Sequence, residues 1–225
     1  MKNGDSFDTF VRNLYILSIK SKMPIVYLDE VGRGTAFGNV VVAAVIWSDN
    51  SKVKEELPFK VKSFDSKKLS PKKRKILSEY IKRNAVAYAI AEETPQVIDE
   101  INILRATQKA FHKALDQLDG LFDEIYVDGN CFNPYFSIKN DDFISSKCII
   151  KGDDTFKEIG FASILAKVKH DEDIIKMCDE HPELDTKYNL RKCMGYLTKA
   201  HINGIKDHGY SEFHRKSFKI KRLMN

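Results

Sequence analysis

Asp29 and Glu30 stand side by side at the end of an apolar run, in Val26-Tyr27-Leu28-Asp29-Glu30-Val31-Gly32-Arg33-Gly34, and lead straight into a glycine-rich turn that carries one arginine. Two further apolar runs end in acids: Val127-Asp128-Gly129 and Ile149-Ile150-Lys151-Gly152-Asp153. A carboxylate at the end of a buried strand emerges at a sheet edge, where loops leave room for substrate. Four acids converging there repel one another unless cations neutralise them. Oxygen-only donors suit Mg²⁺ or Mn²⁺, which keep several waters and also bind substrate phosphate. Two such ions about 4 Å apart activate a water and stabilise the leaving oxygen of a phosphodiester, so the set points to a metal-dependent nuclease. Taken singly, each aspartate reads better as a turn cap. Asp128-Gly129-Asn130 is ordinary turn chemistry, and Asp154 is expected to cap a helix beginning at Thr155.

The glycine turn excludes competing ligands. Gly32-Arg33-Gly34 followed by Gly38 has the wrong spacing for a dinucleotide fingerprint and lacks the Gly-Lys-Ser/Thr ending of a phosphate loop, which argues against NAD or ATP. What it offers is close backbone approach to a sugar-phosphate chain, with Arg33 beside it for phosphate.

Alternating strands and helices must position these groups. Strands are expected at Pro24 to Leu28 and at Asn39 to Trp47, the second a continuous apolar run of the kind buried on both faces. Ser70-Pro71 starts a helix over 71–83, and Ala85 to Ile90 follows as a strand. Thr94-Pro95 repeats the start signal, and Val97, Ile101, Leu104, Phe111, Leu115 and Leu118 recur at helical spacing, predicting one long helix until Gly120. Ile125 to Val127 and Cys148 to Ile150 read as short buried strands, Phe156 to about His181 as a helix, and a last helix begins after Thr198. The expectation is one α/β domain over 1–225 with a helical C-terminal part, a helical N-terminal arm over 1–22 and a basic tail over 206–225.

With 225 residues, 25.8 kDa and 43% apolar content, the chain is large enough for a packed core. Its longest uncharged stretches are too short and polar to span a membrane. The N-terminus lacks the basic-then-apolar order of a secretory signal, so a cytoplasmic location is expected. Cys131, Cys148, Cys178 and Cys193 are irregularly spaced, with no Cys-x-x-Cys pair, and read as free thiols. The net charge of +5 is modest but unevenly placed. Between Lys60 and Lys75 there are eight basic residues against one acid, Asp65. Lys72 to Lys75 fill a whole helical turn and cannot all face one duplex, so Lys67 and Lys68 are the better candidates for substrate. His214, Arg215, Lys216, Lys219, Lys221 and Arg222 either contact nucleic acid or form a solvated end.

Taken together the segments resemble ribonuclease HII, the type 2 ribonuclease H family. Asp29-Glu30-Val31-Gly32-Arg33-Gly34 is similar to its Asp-Glu-Ala-Gly-Arg-Gly signature, and Asp65-Ser66-Lys67-Lys68-Leu69-Ser70 to a second motif. Asn102 to Thr107, Val127-Asp128-Gly129, Lys151-Gly152-Asp153, Ala162 to Lys167 and His214 to Phe218 follow in the family's order. The resemblance implies a ribonuclease H-like mixed β-sheet flanked by helices, with Asp29, Glu30, Asp128 and Asp153 as catalytic acids and ligands of Mg²⁺ or Mn²⁺, two ions in the substrate complex. It implies that Gly32, Arg33 and Gly34, with Tyr196, read the junction between ribonucleotide and deoxyribonucleotide. Glycine amides suit a 2′-hydroxyl and a tyrosine ring stacks on the next sugar. Ser163, His214 and Arg215 join Lys67 and Lys68 as substrate-binding candidates.

The implied activity is hydrolysis of the RNA strand of RNA·DNA hybrids and incision 5′ of ribonucleotides embedded in duplex DNA, leaving 3′-hydroxyl and 5′-phosphate ends. The Gly-Arg-Gly form favours type HII over type HIII, which usually carries lysine there and a long N-terminal extension. A monomer is expected, and the C-terminus shows no glutamine-plus-aromatic motif for a sliding clamp. Val31, Thr35, Asn39, Phe161, Met194 and Leu197 depart from the family pattern, the last two beside Tyr196. Two rivals remain open. A non-catalytic hybrid-binding protein gains nothing from clustered negative charge near phosphate, and a related DNA nuclease or resolvase has no use for a ribose-reading turn.

Overall fold

The computed structural model describes residues 24–47 and 56–219. The expected arm over 1–22 and the last six positions of the basic tail lie outside them. Six strands form one mixed sheet: β1 (Ile25–Val31), β2 (Val40–Ile46), β3 (Ala87–Glu93), β4 (Glu124–Asp128), β5 (Tyr135–Ser137) and β6 (Asp142–Ile149), in the order β3-β2-β1-β4-β6-β5. β1, β2 and β3 are antiparallel neighbours, whereas β1, β4 and β6 run parallel. Helices are α1 (Pro71–Asn84), α2 (Pro95–Ile101), α3 (Ile103–Asp116), α4 (Gly152–Thr155), α5 (Lys157–Glu180), α6 (Pro182–Tyr188), α7 (Leu190–Cys193) and α8 (Lys199–His208).

Every residue of β2 is buried, because a side-chain period of two sends alternate residues to opposite cores. Val42, Ala44 and Ile46 pack with Ala110, Phe111, Ala114 and Leu115 of α3. Val41, Ala43 and Val45 meet α1 and α5 through Leu77, Ile81, Phe161 and Leu165. Phe161, one of the departures from the family pattern, fills space against Trp47 and Phe64, with ring centroids 4.6 and 4.9 Å away. A third core of Phe37, Ile174, Leu184, Tyr188, Ile202 and Ile205 joins the C-terminal helices to the end of α5. Among the described residues no helix is long and apolar enough to cross a membrane.

Several sequence expectations need correction. The long helix after Thr94 is two, broken at Asn102, whose φ of 69° turns the chain while its side chain accepts from the Arg105 amide. The apolar spacing continues across the break, and asparagine tolerates that backbone, so periodicity alone hides it. β6 starts at Asp142 and is mostly exposed rather than a short buried strand. β5 covers only three of its residues, and the polar Ser145-Ser146-Lys147 carries no apolar signal. Asp154 caps nothing: it lies inside α4, with its carboxylate 2.8 Å from Lys68 Nζ, and α5 begins at Lys157. The tail is not a free basic end over its described part. Residues 206–208 finish α8, and His214 and Arg215 are buried.

Candidate active site

Parallel pairing of β1 with β4 brings the first acids together. The last registered pair is Leu28↔Val127, so Asp29 and Asp128 follow on adjacent strands at the same level. On the other side of β4, Asp128 is registered with Ile149, the end of β6. The chain then turns through Lys151 (φ 57°) into α4, which carries Asp153. The Gly152 amide at the start of α4 donates to Asp128 Oδ1 at 2.6 Å. A Cβ at Gly152 would stand 2.6 Å from Ile159 Cδ1 and 3.2 Å from Asp128 Oδ1, so the lack of a side chain eases this approach.

Adjacent residues of a strand point to opposite faces, and Asp29 and Glu30 do so. Asp29 is 6% exposed and turns toward α5, where Ser163 donates to it. Ser163 Oγ in turn lies 2.9 Å from Ser66 Oγ. Glu30 turns toward Arg33, whose Nη1 lies 3.2 Å from its Oε1, and shares a small cleft with Thr107, Gln108 and Asp128. Burial is the first cause that pushes the Asp29 carboxyl well above the ordinary range, followed by repulsion from Glu30 and Asp128. Glu30 is raised by burial too, against the pull of Arg33, and Asp153 by burial and then by Asp128 and Asp65.

A divalent cation fits this donor set. All four side chains offer only carboxylate oxygens, and burial together with repulsion from neighbouring acids raises the carboxyl pKa values of Asp29, Glu30 and Asp153, a cost that a bound cation would offset. Among the described residues no three His, Cys, Asp or Glu side chains close into a ready-made cage. An ion of the Mg²⁺ type keeps several waters and shares itself with substrate phosphate, so it needs only one or two carboxylates from the protein.

Around the acids the substrate candidates divide into two groups. Gly34, Arg33, Lys67, Lys68 and Tyr196 are exposed. Gly32 is buried with φ 89°, and a Cβ there would meet Asn39 O and His170 Cδ2, both at 2.9 Å. Lys67 lowers the pKa of both Asp153 and Tyr196 through its charge. Lys68 is tied to Asp65 and Asp154. Gly195-Tyr196 abuts the glycine turn, since the Ala36 amide donates to Gly195 O at 3.0 Å and Lys167 Nζ sits 5.6 Å from the Tyr196 ring centroid.

Ser163, His214 and Arg215 do not belong with the exposed group. They are 3%, 1% and 0% exposed, with their polar atoms turned inward. Ser163 orients Asp29. Arg215 donates to the carbonyls of Gly32 at 2.6 Å, Thr35 at 2.8 Å and Gly38 at 2.9 Å, so it holds the glycine turn from behind. His214 pairs with His201, their Nε2 atoms 3.0 Å apart. Four supporting residues escaped the sequence reading: Ser66, Gln108, Asp99 and His201. Gln108 bridges Cys131 O and the Asn133 amide behind Asp128, and Asp99 receives the Lys216 and Ser217 amides. Ser66 sat within a noted motif, while the others had no local signal.

Comparison with known proteins gives the family of the chain and its fold. The family model described as Ribonuclease HII matches residues 27–221. A ribonuclease HII from Francisella tularensis subsp. novicida is 44% identical over 202 residues, covering 90% of this chain and 100% of its own length. One from Francisella philomiragia subsp. philomiragia is likewise 44% identical over 202 residues, with the same coverage of 90% and 100%. Among solved structures, ribonuclease H2 from Pyrococcus horikoshii superposes with a TM-score of 0.66 at 25% identity, over 90% of this chain and 97% of that one. The ribonuclease HII in a PCNA complex from Archaeoglobus fulgidus gives 0.68 at 22% identity, over 88% and 96%, which speaks for the fold alone. Bst-RNase HIII in complex with Mn²⁺ shares the fold at a TM-score of 0.57 and 16% identity, over 88% of this chain and 68% of its own. A match that runs from the first acid-bearing strand to beyond Arg215, at this identity and over the relatives' full length, means that the chain belongs to the ribonuclease HII family and is a metal-dependent ribonuclease H.

Proposed function

We propose that this enzyme hydrolyses the RNA strand of RNA·DNA hybrids and incises on the 5′ side of single ribonucleotides embedded in duplex DNA. The observation that carries the reading is the juxtaposition of two features. Asp29 and Glu30 in the C-terminal half of β1, Asp128 at the end of β4 and Asp153 in α4 just after β6 lie on neighbouring elements, and the segment that follows the Gly32-Arg33-Gly34 turn is fastened to the Tyr196 loop by the Ala36 amide on Gly195 O. The acids would hold Mg²⁺ or Mn²⁺, which when bound activate a water and neutralise charge on the scissile phosphate.

The chain's own residues do the rest. Asp29 is held by Ser163 and by the Glu30 amide at 2.7 Å, and Asp128 by the Gly152 amide, so both carboxylates are oriented before substrate arrives. Exposed Gly34 leaves open space where a side chain would stand, giving a sugar edge access to backbone. Tyr196, 41% exposed, presents a ring for the adjoining sugar, and Lys67 offers charge to a phosphate. Hydrolysis in this arrangement leaves 3′-hydroxyl and 5′-phosphate ends.

Three matched duplexes bearing one ribonucleotide, a run of four, or none test the reading. The first two should be cut on the 5′ side of a ribonucleotide and the third left intact. Tyr196→Ala should impair the single-ribonucleotide duplex more than a long hybrid, since continuous hybrids offer alternative registers. Failure to cut at the lone ribonucleotide would overturn junction reading while leaving hybrid hydrolysis in place, and equal losses would reduce Tyr196 to a general binding residue.

A further inference from the structure

Tyr196 is 41% exposed, with Lys167 Nζ 5.6 Å from its ring centroid, and where the ring stands depends on where its backbone is fixed. Behind that backbone lies the His201–His214 pair, 0% and 1% exposed. Two imidazole nitrogens 3.0 Å apart form a hydrogen bond only if one carries a proton and the other does not. The outer nitrogens decide which. The Ser211 backbone amide, which can only donate, lies 2.9 Å from His214 Nδ1. That nitrogen therefore accepts, and in the neutral ring the proton is on Nε2. His201 Nε2 must then accept, which leaves the His201 proton on Nδ1. There it faces the Tyr196 carbonyl, which can only accept, at 3.0 Å.

A donor-only amide at one end and an acceptor-only carbonyl at the other leave a single arrangement for two neutral rings. A proton added to either ring would set two N–H groups face to face or strand the Ser211 amide. Burial, and for His214 the neighbouring ring, keep both imidazoles neutral by lowering their pKa values.

The same segment grips the glycine turn. The residue after His214 is Arg215, anchored on the turn's carbonyls, and Lys216-Ser217 is tied down by Asp99 at 2.9 Å to each amide. We propose that His201 and His214 are positioning residues for ribonucleotide selection: a one-directional hydrogen-bond chain from the Ser211 amide to the Tyr196 carbonyl that keeps the Tyr196 loop in register with Gly32-Arg33-Gly34. The inference rests on the junction reading proposed above.

Two measurements test it. Imidazole ¹⁵N spectra of the full chain at neutral pH should show opposite tautomers, Nε2–H for His214 and Nδ1–H for His201. The same tautomer in both rings, or a protonated ring, overturns the assignment without requiring any variant to fold. In cleavage assays His201→Phe, which fills the space without a donor, should lower kcat/KM at a lone ribonucleotide about ten-fold more than on a long hybrid, a loss in keeping with one of the two hydrogen bonds to the Tyr196 carbonyl, which also accepts from the Thr198 amide at 2.8 Å. His201→Asn, whose amide N–H replaces Nδ1–H, should recover most of that difference. Equal losses on both substrates, or no recovery with asparagine, overturn the positioning role alone. A wild-type enzyme that does not cut at a lone ribonucleotide removes the junction reading and this inference together.

Discussion

Arg215→Lys gives the sharpest test of how this site is held. The guanidinium is completely buried and remains cationic at assay pH even though burial pulls its pKa down to about 10. Its Nε reaches Gly38 O at 2.9 Å and its Nη1 reaches Gly32 O at 2.6 Å and Thr35 O at 2.8 Å, with Phe218 lying 5.2 Å from Cζ. Lysine keeps the charge but not the fork, and one ammonium on a shorter reach replaces at most one of these contacts. Two hydrogen bonds from a charged donor are then lost, at about 1.5–3 kcal/mol each, or about 3–6 kcal/mol in all. For a chain of this size 1 kcal/mol moves the melting temperature by about 2–4 °C, so a fall on the order of 10 °C is expected by scanning calorimetry. Because the freed carbonyls belong to the glycine turn, kcat/KM at a lone ribonucleotide should fall further than on a long hybrid. A melting temperature for Arg215→Lys within about 2 °C of wild type would refute the clamp, since that is less than one such hydrogen bond.

Asp128→Asn should abolish cleavage of a hybrid while the protein still melts cooperatively, because it removes a proposed ligand and also the repulsion Asp128 exerts on Asp29, Glu30 and Asp153; turnover at the wild-type rate by the folded variant would remove Asp128 from the catalytic set. Replacing Mg²⁺ with Ca²⁺ should allow hybrid binding by gel shift yet suppress cleavage, as the larger ion takes looser, higher coordination, and similar rates in both would count against a two-metal reaction. Acid should weaken the C-terminal brace. With the His214 pKa lowered to about 3 from 6.5, the unfolded chain binds the extra proton as pH drops below 6.5, so the stabilisation is complete above that value and is lost toward about 3. At pH 5 the loss is about 2 kcal/mol. The raised carboxylates pull the other way, so the observable is the stability gap between wild type and His214→Gln, which should narrow by about that amount between pH 7.5 and 5; a constant gap would show that the imidazole does not titrate against folding.

Much of the active site could be read along the chain because its chemistry is local. An acid at the end of an apolar run marks a strand and its exit: Asp128 ends β4 as that signal says, whereas β1 runs on past Asp29 and Glu30 to Val31 and Asp153 falls in α4 beyond β6. The helix starts at Ser70-Pro71, Thr94-Pro95 and Thr198 were equally legible, because a cap and its first turn are neighbours in sequence. Exposure was not local. The run from His214 onward reads as basic surface, yet Arg215 finds its acceptors 177 to 183 residues earlier, and Asp99 clamps Lys216 and Ser217 from 117 and 118 residues away. Parallel pairing of β1, β4 and β6 decided which strand ends meet. The two-residue period of β1 then sent Asp29 to Ser163 and Glu30 to Arg33, a parting invisible in two adjacent letters. Residue types and their order thus marked the groups proposed to do the chemistry. Only the packed chain decided which of the basic and polar residues face substrate and which hold the site in place, since a cation in a sequence shows its charge but not the carbonyls that will surround it.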